Sequence, residues 1–191
     1  MILIHGRGAS AADIMTLGEE LMHPGFAYLA PQAAGGAWYP NPFTAPLAEN
    51  EPYLSSALEV VASLLALIRK KVPADRVILL GFSQGACLTL EFAARNARRY
   101  GGIVGLSGGL IGPPGTPRDY PGSFERTPVF LGCSDVDPYI GKDRVLEAGE
   151  VYKVMGAAVN VQLYPDMGHT VNPNEIEAVR EMVSATASRL Q

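Results

Sequence analysis

The segment Val77-Ile78-Leu79-Leu80-Gly81-Phe82-Ser83-Gln84-Gly85 constrains this chain more than any other. Four apolar residues run into a serine framed by glycines, and a helix-like stretch, Ala86 to Arg98, follows at once. A short apolar run bounded by glycine reads as a buried strand, so the serine falls on a tight strand-to-helix turn. Such a turn lifts a hydroxyl clear of the sheet. It also points the first N–H groups of the next helix at the oxyanion that the hydroxyl would create. Glycines two residues away on either side answer the crowding of that turn. The pattern G-x-S-x-G also arises by chance, and the plain alternative is an ordinary Gly-rich turn. The strand before it and the helix after it favour a nucleophile.

The same alternation continues along the chain. Strands are expected at Met1 to Ile4, Phe26 to Ala30, Val77 to Gly81, Ile103 to Leu106, Val129 to Gly132 and Val159 to Tyr164. Helices are expected at Ala11 to Met22, Pro52 to Lys71, Gln84 to Arg98, Asp143 to Met155 and Pro173 to Leu190. In the second of these, Leu54, Leu58, Val61, Leu65 and Ile68 recur at the spacing of one helical face. Residues 31 to 50 are rich in Pro, Gly, Ala and Asn and read as a long loop, a kind of segment that is usually functional. A second Pro/Gly-rich excursion runs from Ile111 to Gly122. Continuously apolar strands separated by helices imply an α/β fold, a mostly parallel sheet of about six strands covered on both faces.

Bulk properties narrow the function. A chain of 191 residues suits one domain, 1–191, with one core. Net charge is −4 and no basic stripe is present, which argues against nucleic acid as a partner. There is no apolar run of 18 residues and no cleavable leader pattern, and the chain starts directly on a strand, so no membrane insertion is expected. Cys87 and Cys133 form neither a disulfide framework nor a zinc pattern and read as small buried hydrophobes. The chain reads as a soluble, cytoplasmic protein; a homodimer is compatible with it.

A serine nucleophile needs a base, and the base needs an orienting acid. Three histidines are present. His23 lies in the turn His23-Pro24-Gly25 and reads as surface. His5 and His169 both follow strands, at the sheet edge where functional loops gather. In His5-Gly6-Arg7-Gly8 the glycines let the chain approach closely and present a backbone N–H, so His5 is assigned to loop architecture. His169, in Met167-Gly168-His169, is assigned as the base. The acid comes from Asp135-Val136-Asp137-Pro138. Pro138 biases Asp137 to an extended backbone that would aim its carboxylate at His169. Asp135 would tie the loop through an Asx-type bond. The residues favour Asp137 and leave Asp135 open.

Taken together, these motifs resemble the phospholipase/carboxylesterase family of α/β-hydrolases, which includes the acyl-protein thioesterases. The likeness runs through Ile4-His5-Gly6-Arg7-Gly8, Trp38-Tyr39, Gly81-Phe82-Ser83-Gln84-Gly85, Leu106-Ser107-Gly108, Asp135-Val136-Asp137-Pro138 and Gly168-His169, in order along nearly the whole chain. It implies an α/β-hydrolase fold with Ser83 as nucleophile, Asp137 as acid and His169 as base. It also implies that the backbone N–H groups of Arg7 and Gln84 form the oxyanion hole. No metal or organic cofactor is implied. Two departures stand out: family members usually carry a further strand before the His-Gly strand, and the position of Arg7 is often apolar. Trp38, Tyr39 and Phe43 on the long loop, with Leu110 and Tyr139, are expected to line an acyl pocket for a small-molecule ester. Short- to medium-chain esters are expected. An acyl-thioesterase or lysophospholipase would use the same triad, and a non-catalytic binding protein on the scaffold would lack one of its members.

Overall fold

The computed structural model describes residues 1–188. Five strands form one sheet: β1 (Ile2–Ile4), β2 (Ile78–Phe82), β3 (Gly102–Leu106), β4 (Pro128–Ser134) and β5 (Ala158–Tyr164). They lie in sequence order and every neighbouring pair is parallel. The helices are α1 (Ala11–Glu20), α2 (Tyr53–Ile68), α3 (Gln84–Arg95), α4 (Lys142–Val154) and α5 (Pro173–Ser188).

Alternating side chains of each strand feed two cores, one on each face of the sheet. Ile2, Ile4, Leu79, Ile103, Val129 and Leu131 point to the face that α2, α3 and α4 cover with Leu54, Val61, Leu88, Leu90, Val145 and Tyr152. Leu3, Ile78, Leu80, Val104 and Phe130 point to the other, where α1 and α5 supply Ile14, Val179 and Val183. This is why the strands are apolar throughout rather than alternating with polar residues.

The segment Phe26 to Ala30 differs from expectation. It contributes a single parallel bridge, Leu29 to Ile2, on the outer edge of β1, with the Leu3 N–H on the Leu29 carbonyl at 2.8 Å. Pro24 and Pro31 bound it, and proline cannot donate to a ladder. Its partner β1 is itself only three residues long. The sheet therefore has five strands and one bridge where about six strands were expected. The expected helix end at Leu190 lies outside the described residues.

That bridge still decides where the site falls. From β1 the chain moves outward over α1 to Leu29, then back over α2 to β2 on the other side of β1. Connections of one hand that travel in opposite directions must lie on opposite faces, and α1 and α2 do. The order of the sheet thus reverses at β1. The loops leaving β1 and β2 diverge there, and a crevice opens at their carboxyl ends.

Candidate active site

Ser83 stands at that crevice, between the end of β2 and the first residue of α3. Its backbone is at φ 56°, ψ −122°, a region that side-chain-bearing residues rarely occupy. The turn is held by the Ser83 N–H on the Leu106 carbonyl at 2.9 Å. The two glycines of the pentapeptide are explained by contact. A Cβ on Gly81 would overlap the Gly85 carbonyl, and one on Gly85 would overlap the Ile4 and His5 carbonyls. The helix can start under the serine only because its backbone lies directly against β1.

His169 follows β5 and reaches Ser83 across the sheet edge. Its Nε2 is 2.9 Å from the Ser83 Oγ, and its Nδ1 is 2.7 Å from Asp137 Oδ2. A carboxylate accepting at Nδ1 places the imidazole hydrogen there and leaves Nε2 to accept from the serine. The Asp137 side chain is fully buried. Burial pushes its carboxyl up, but the His169 hydrogen bond and the Tyr139 and Ile140 N–H groups on Oδ1, at 2.9 and 3.0 Å, overcome this and hold it below the usual carboxylate range. The Cys133 thiol adds a weak bond to Oδ2 at 3.7 Å. Burial pushes the Cys133 and Cys87 thiols up to about 12, so both stay protonated. The rings of Phe82 and Tyr139 flank the imidazole, each with its centroid 5.0 Å away. Asp135 sits apart from this chain: its Oδ1 accepts the Asp166 N–H at 3.0 Å, tying the Asp137 loop to the His169 loop.

The loop after β1 is fixed by the side chains of His5, Trp38 and Gln84. The His5 ring is wholly buried; its Nε2 accepts the Ala33 N–H at 3.1 Å and its Nδ1 bonds the Gly6 carbonyl at 2.8 Å. Trp38 lies against that ring and donates its indole N–H to the His5 carbonyl at 2.8 Å. The Gln84 side chain accepts the Trp38 N–H at 2.9 Å and donates to the Tyr39 carbonyl at 2.8 Å. These bonds set the separation between the His-Gly loop and the start of α3. Among the described residues, no protein carbonyl or side chain accepts the N–H of Arg7 or of Gln84. Both groups are therefore free to donate to a ligand.

A cavity of about 620 Å³ opens beside Ser83. Tyr39, Phe43 and Tyr139 line it with Arg7, Pro42 and Ile140. Trp38 and Leu110 do not. Trp38 is spent under the His5 loop, and the Leu110 carbonyl is held behind the wall by Arg144 Nη2 at 2.8 Å. The Arg144 guanidinium in turn lies 5.3 Å above the Phe43 ring and fixes that aromatic.

The His169 loop is anchored at its far end by a capping box at the start of α5. Asn172 Oδ1 accepts the Glu175 N–H at 3.0 Å, and Glu175 Oε2 accepts the Asn172 N–H at 2.9 Å. The Glu175 carboxyl is wholly buried against Gly132, where any side chain would overlap it, and Oε1 has no partner. Burial pushes this carboxyl up to about 7 from 4.5. A carboxyl raised in the folded state favours folding while it is protonated. That contribution is lost as pH rises from about 4.5 through about 7. Glu175→Gln, which keeps the acceptor for Asn172, is therefore expected to raise Tm at pH 9, by up to roughly 3 kcal/mol in stability. At pH 4 it should change Tm little. Thermal scans of both proteins at the two pH values check this; a difference independent of pH would refute it.

The family model for Phospholipase/Carboxylesterase matches residues 1–187. Acyl-protein thioesterase 1 of Saccharomyces cerevisiae is 27% identical over 143 residues, 73% of this chain and 63% of that protein. The Debaryomyces hansenii protein of the same name is 31% identical over 120 residues, 60% of this chain and 52% of its own length. The chain thus spans between 52% and 63% of the length of these two relatives. A crystal structure of a phospholipase/carboxylesterase from Dyadobacter fermentans matches with a TM-score of 0.91 at 42% identity, covering 96% of this chain and 88% of that one. Acyl-protein thioesterase 2 of Zea mays, at 22% identity and a TM-score of 0.74 over 97% of this chain and 92% of that one, shares the fold. The parallel sheet, the elbow at its switch point and a family match over all but the last few residues lead to one conclusion: the chain has the α/β-hydrolase fold and belongs to the phospholipase/carboxylesterase family of hydrolases.

Proposed function

We propose that the protein hydrolyses carboxylic esters through an acyl-enzyme on Ser83. The observation that carries this reading is the unbroken hydrogen-bonded chain Ser83–His169–Asp137 beside an open cavity. His169 Nε2 takes the hydroxyl proton as Oγ attacks the ester carbonyl. Asp137 holds the imidazole in the accepting tautomer and stabilises its cationic form. The Arg7 and Gln84 N–H groups receive the developing oxyanion, each contributing roughly 3 kcal/mol to the transition state. His169 then gives its proton to the leaving alcohol. Water enters, His169 acts again as base, and the acid is released. Apolar and aromatic lining by Tyr39, Phe43 and Ile140 suits a short- to medium-chain acyl group. Two free, buried cysteines accord with action in the cytoplasm.

A thioester is attacked by the same groups with a thiolate leaving, and the likeness to acyl-protein thioesterases supports that as the second reading. Both readings are tested by a fluorophosphonate probe. Intact-mass analysis is expected to show one phosphonyl adduct on the folded protein, mapping to Ser83 and absent from Ser83→Ala. Folded protein that takes up no label would overturn the reading.

A further inference from the structure

Among the residues that line the cavity, Arg7 is the one whose side chain carries a permanent charge. Three other arginines each have a carboxylate partner. Arg144 and Arg118 both contact Glu147, at 2.8 and 2.9 Å, and Arg95 contacts Glu91 at 2.7 Å. Arg7 has no carboxylate within ion-pair distance among the described residues. Instead its Nη2 is held by two backbone carbonyls of the long loop, Tyr39 at 2.7 Å and Asn41 at 3.0 Å. Its Nε and Nη1 have no protein partner among the described residues. A guanidinium clipped at one nitrogen stays at the cavity mouth. Its remaining N–H groups, and a charge with no carboxylate partner among the described residues, are available to a bound molecule.

We propose that Arg7 makes this a hydrolase for anionic esters, substrates with a carboxylate a few atoms from the scissile bond. The proposal rests on the reading of Ser83 as nucleophile and names the substrate class of that site. The same residue then serves twice. Its N–H faces the oxyanion, and its side chain fixes the far end of the substrate. A carboxylate can reach Arg7 from the acyl side, as in a dicarboxylic acid monoester, or from the alcohol side, as in an ester of a hydroxy acid; the chemistry of recognition is shared.

The test compares each anionic ester with a neutral partner of similar size by pH-stat titration. Monomethyl glutarate is set against methyl hexanoate for the acyl side, and 4-acetoxybutanoate against pentyl acetate for the alcohol side. The readout is the ratio of kcat/KM, anionic over neutral, so a general loss of rate in a variant cancels. Arg7→Gln keeps a donor for the Tyr39 carbonyl but removes the charge, and is expected to lower the ratio about tenfold in one of the two pairs, the size of one charge-assisted hydrogen bond. Arg7→Lys keeps the charge and is expected to retain most of the ratio. In the native enzyme 0.5 M NaCl should shrink it, since an exposed charge pair is screened. A ratio unchanged by Arg7→Gln in both pairs, or one that falls equally in Arg7→Lys, would overturn the proposal and leave Arg7 as a loop tether. If neither neutral ester turned over and no probe labelled Ser83, the reading of the nucleophile would fail first.

Discussion

Replacing Ser83 by alanine is expected to lower kcat for ester hydrolysis by about 10⁴-fold or more, with KM little changed. The magnitude follows from the cooperation of the three side chains. Without Oγ, neither the base at 2.9 Å nor the acid behind it has a proton to manage, so removing one member removes the function of all. What remains is binding and the two oxyanion donors, neither of which supplies a nucleophile. A second substitution separates chemistry from architecture. Ser83 is held at φ 56°, ψ −122°, and alanine keeps that strain. Glycine relieves it, at an expected net gain on the order of 1 kcal/mol, or roughly 2–4 °C in Tm for a domain of this size. Ser83→Gly should therefore be as inactive as Ser83→Ala but more stable than both Ser83→Ala and the natural protein. Steady-state kinetics with thermal scans check the pair. Residual turnover within a hundredfold of the natural protein would reject Ser83 as nucleophile, and a Tm no higher for glycine would reject the strain.

The parts of this site that sequence made legible are those that local chemistry fixes. The elbow could be read because strand, turn and helix follow one another without a break, and the two glycines are compelled by backbone contact within the same unit. The strands could be read because both faces are buried, so their apolar runs are unbroken. Phe26 to Ala30 was equally apolar to the eye, yet pairing needs a partner with free groups in register, and for this segment, bounded by Pro24 and Pro31, a three-residue β1 offered only Leu29 a place. Trp38 shows the same limit at the site. An aromatic on a functional loop suits a pocket lining, and only the fold reveals that its indole is committed to the His5 carbonyl. Gln84 is the converse: the motif marked its backbone, while its side chain, bonded to Trp38 and Tyr39 across the cavity floor, spans 45 residues or more and leaves no local signal. The box at the start of α5 did leave one. Asn172-Pro173-Asn174-Glu175 has the spacing of a reciprocal cap, in keeping with the helix start expected at Pro173.

Asp137→Asn is expected to lower kcat/KM about 10⁴-fold, whereas Asp135→Asn should change it less than about fivefold. The two aspartates stand two residues apart, and the hydrogen bonds around each predict opposite outcomes. At Asp137, the Tyr139 and Ile140 N–H groups both donate to Oδ1. An asparagine there must turn its amide oxygen to those two donors, which puts its NH₂ where Oδ2 now meets His169 Nδ1. Nδ1 is then forced to accept, the imidazole hydrogen moves to Nε2, and the face toward Ser83 becomes a donor that cannot take the hydroxyl proton. The side chain keeps its shape and its packing, so Tm should move little while activity collapses. At Asp135, the partner is a single N–H, that of Asp166, and an amide oxygen accepts it as well as a carboxylate does. Expressing both variants and comparing kcat/KM, Tm and fluorophosphonate labelling rate distinguishes an acid that sets a tautomer from one that pins a loop. If Asp135→Asn were the slower enzyme, the acid of the triad would have been misassigned. If both retained near-natural rates, His169 would not depend on a carboxylate at all.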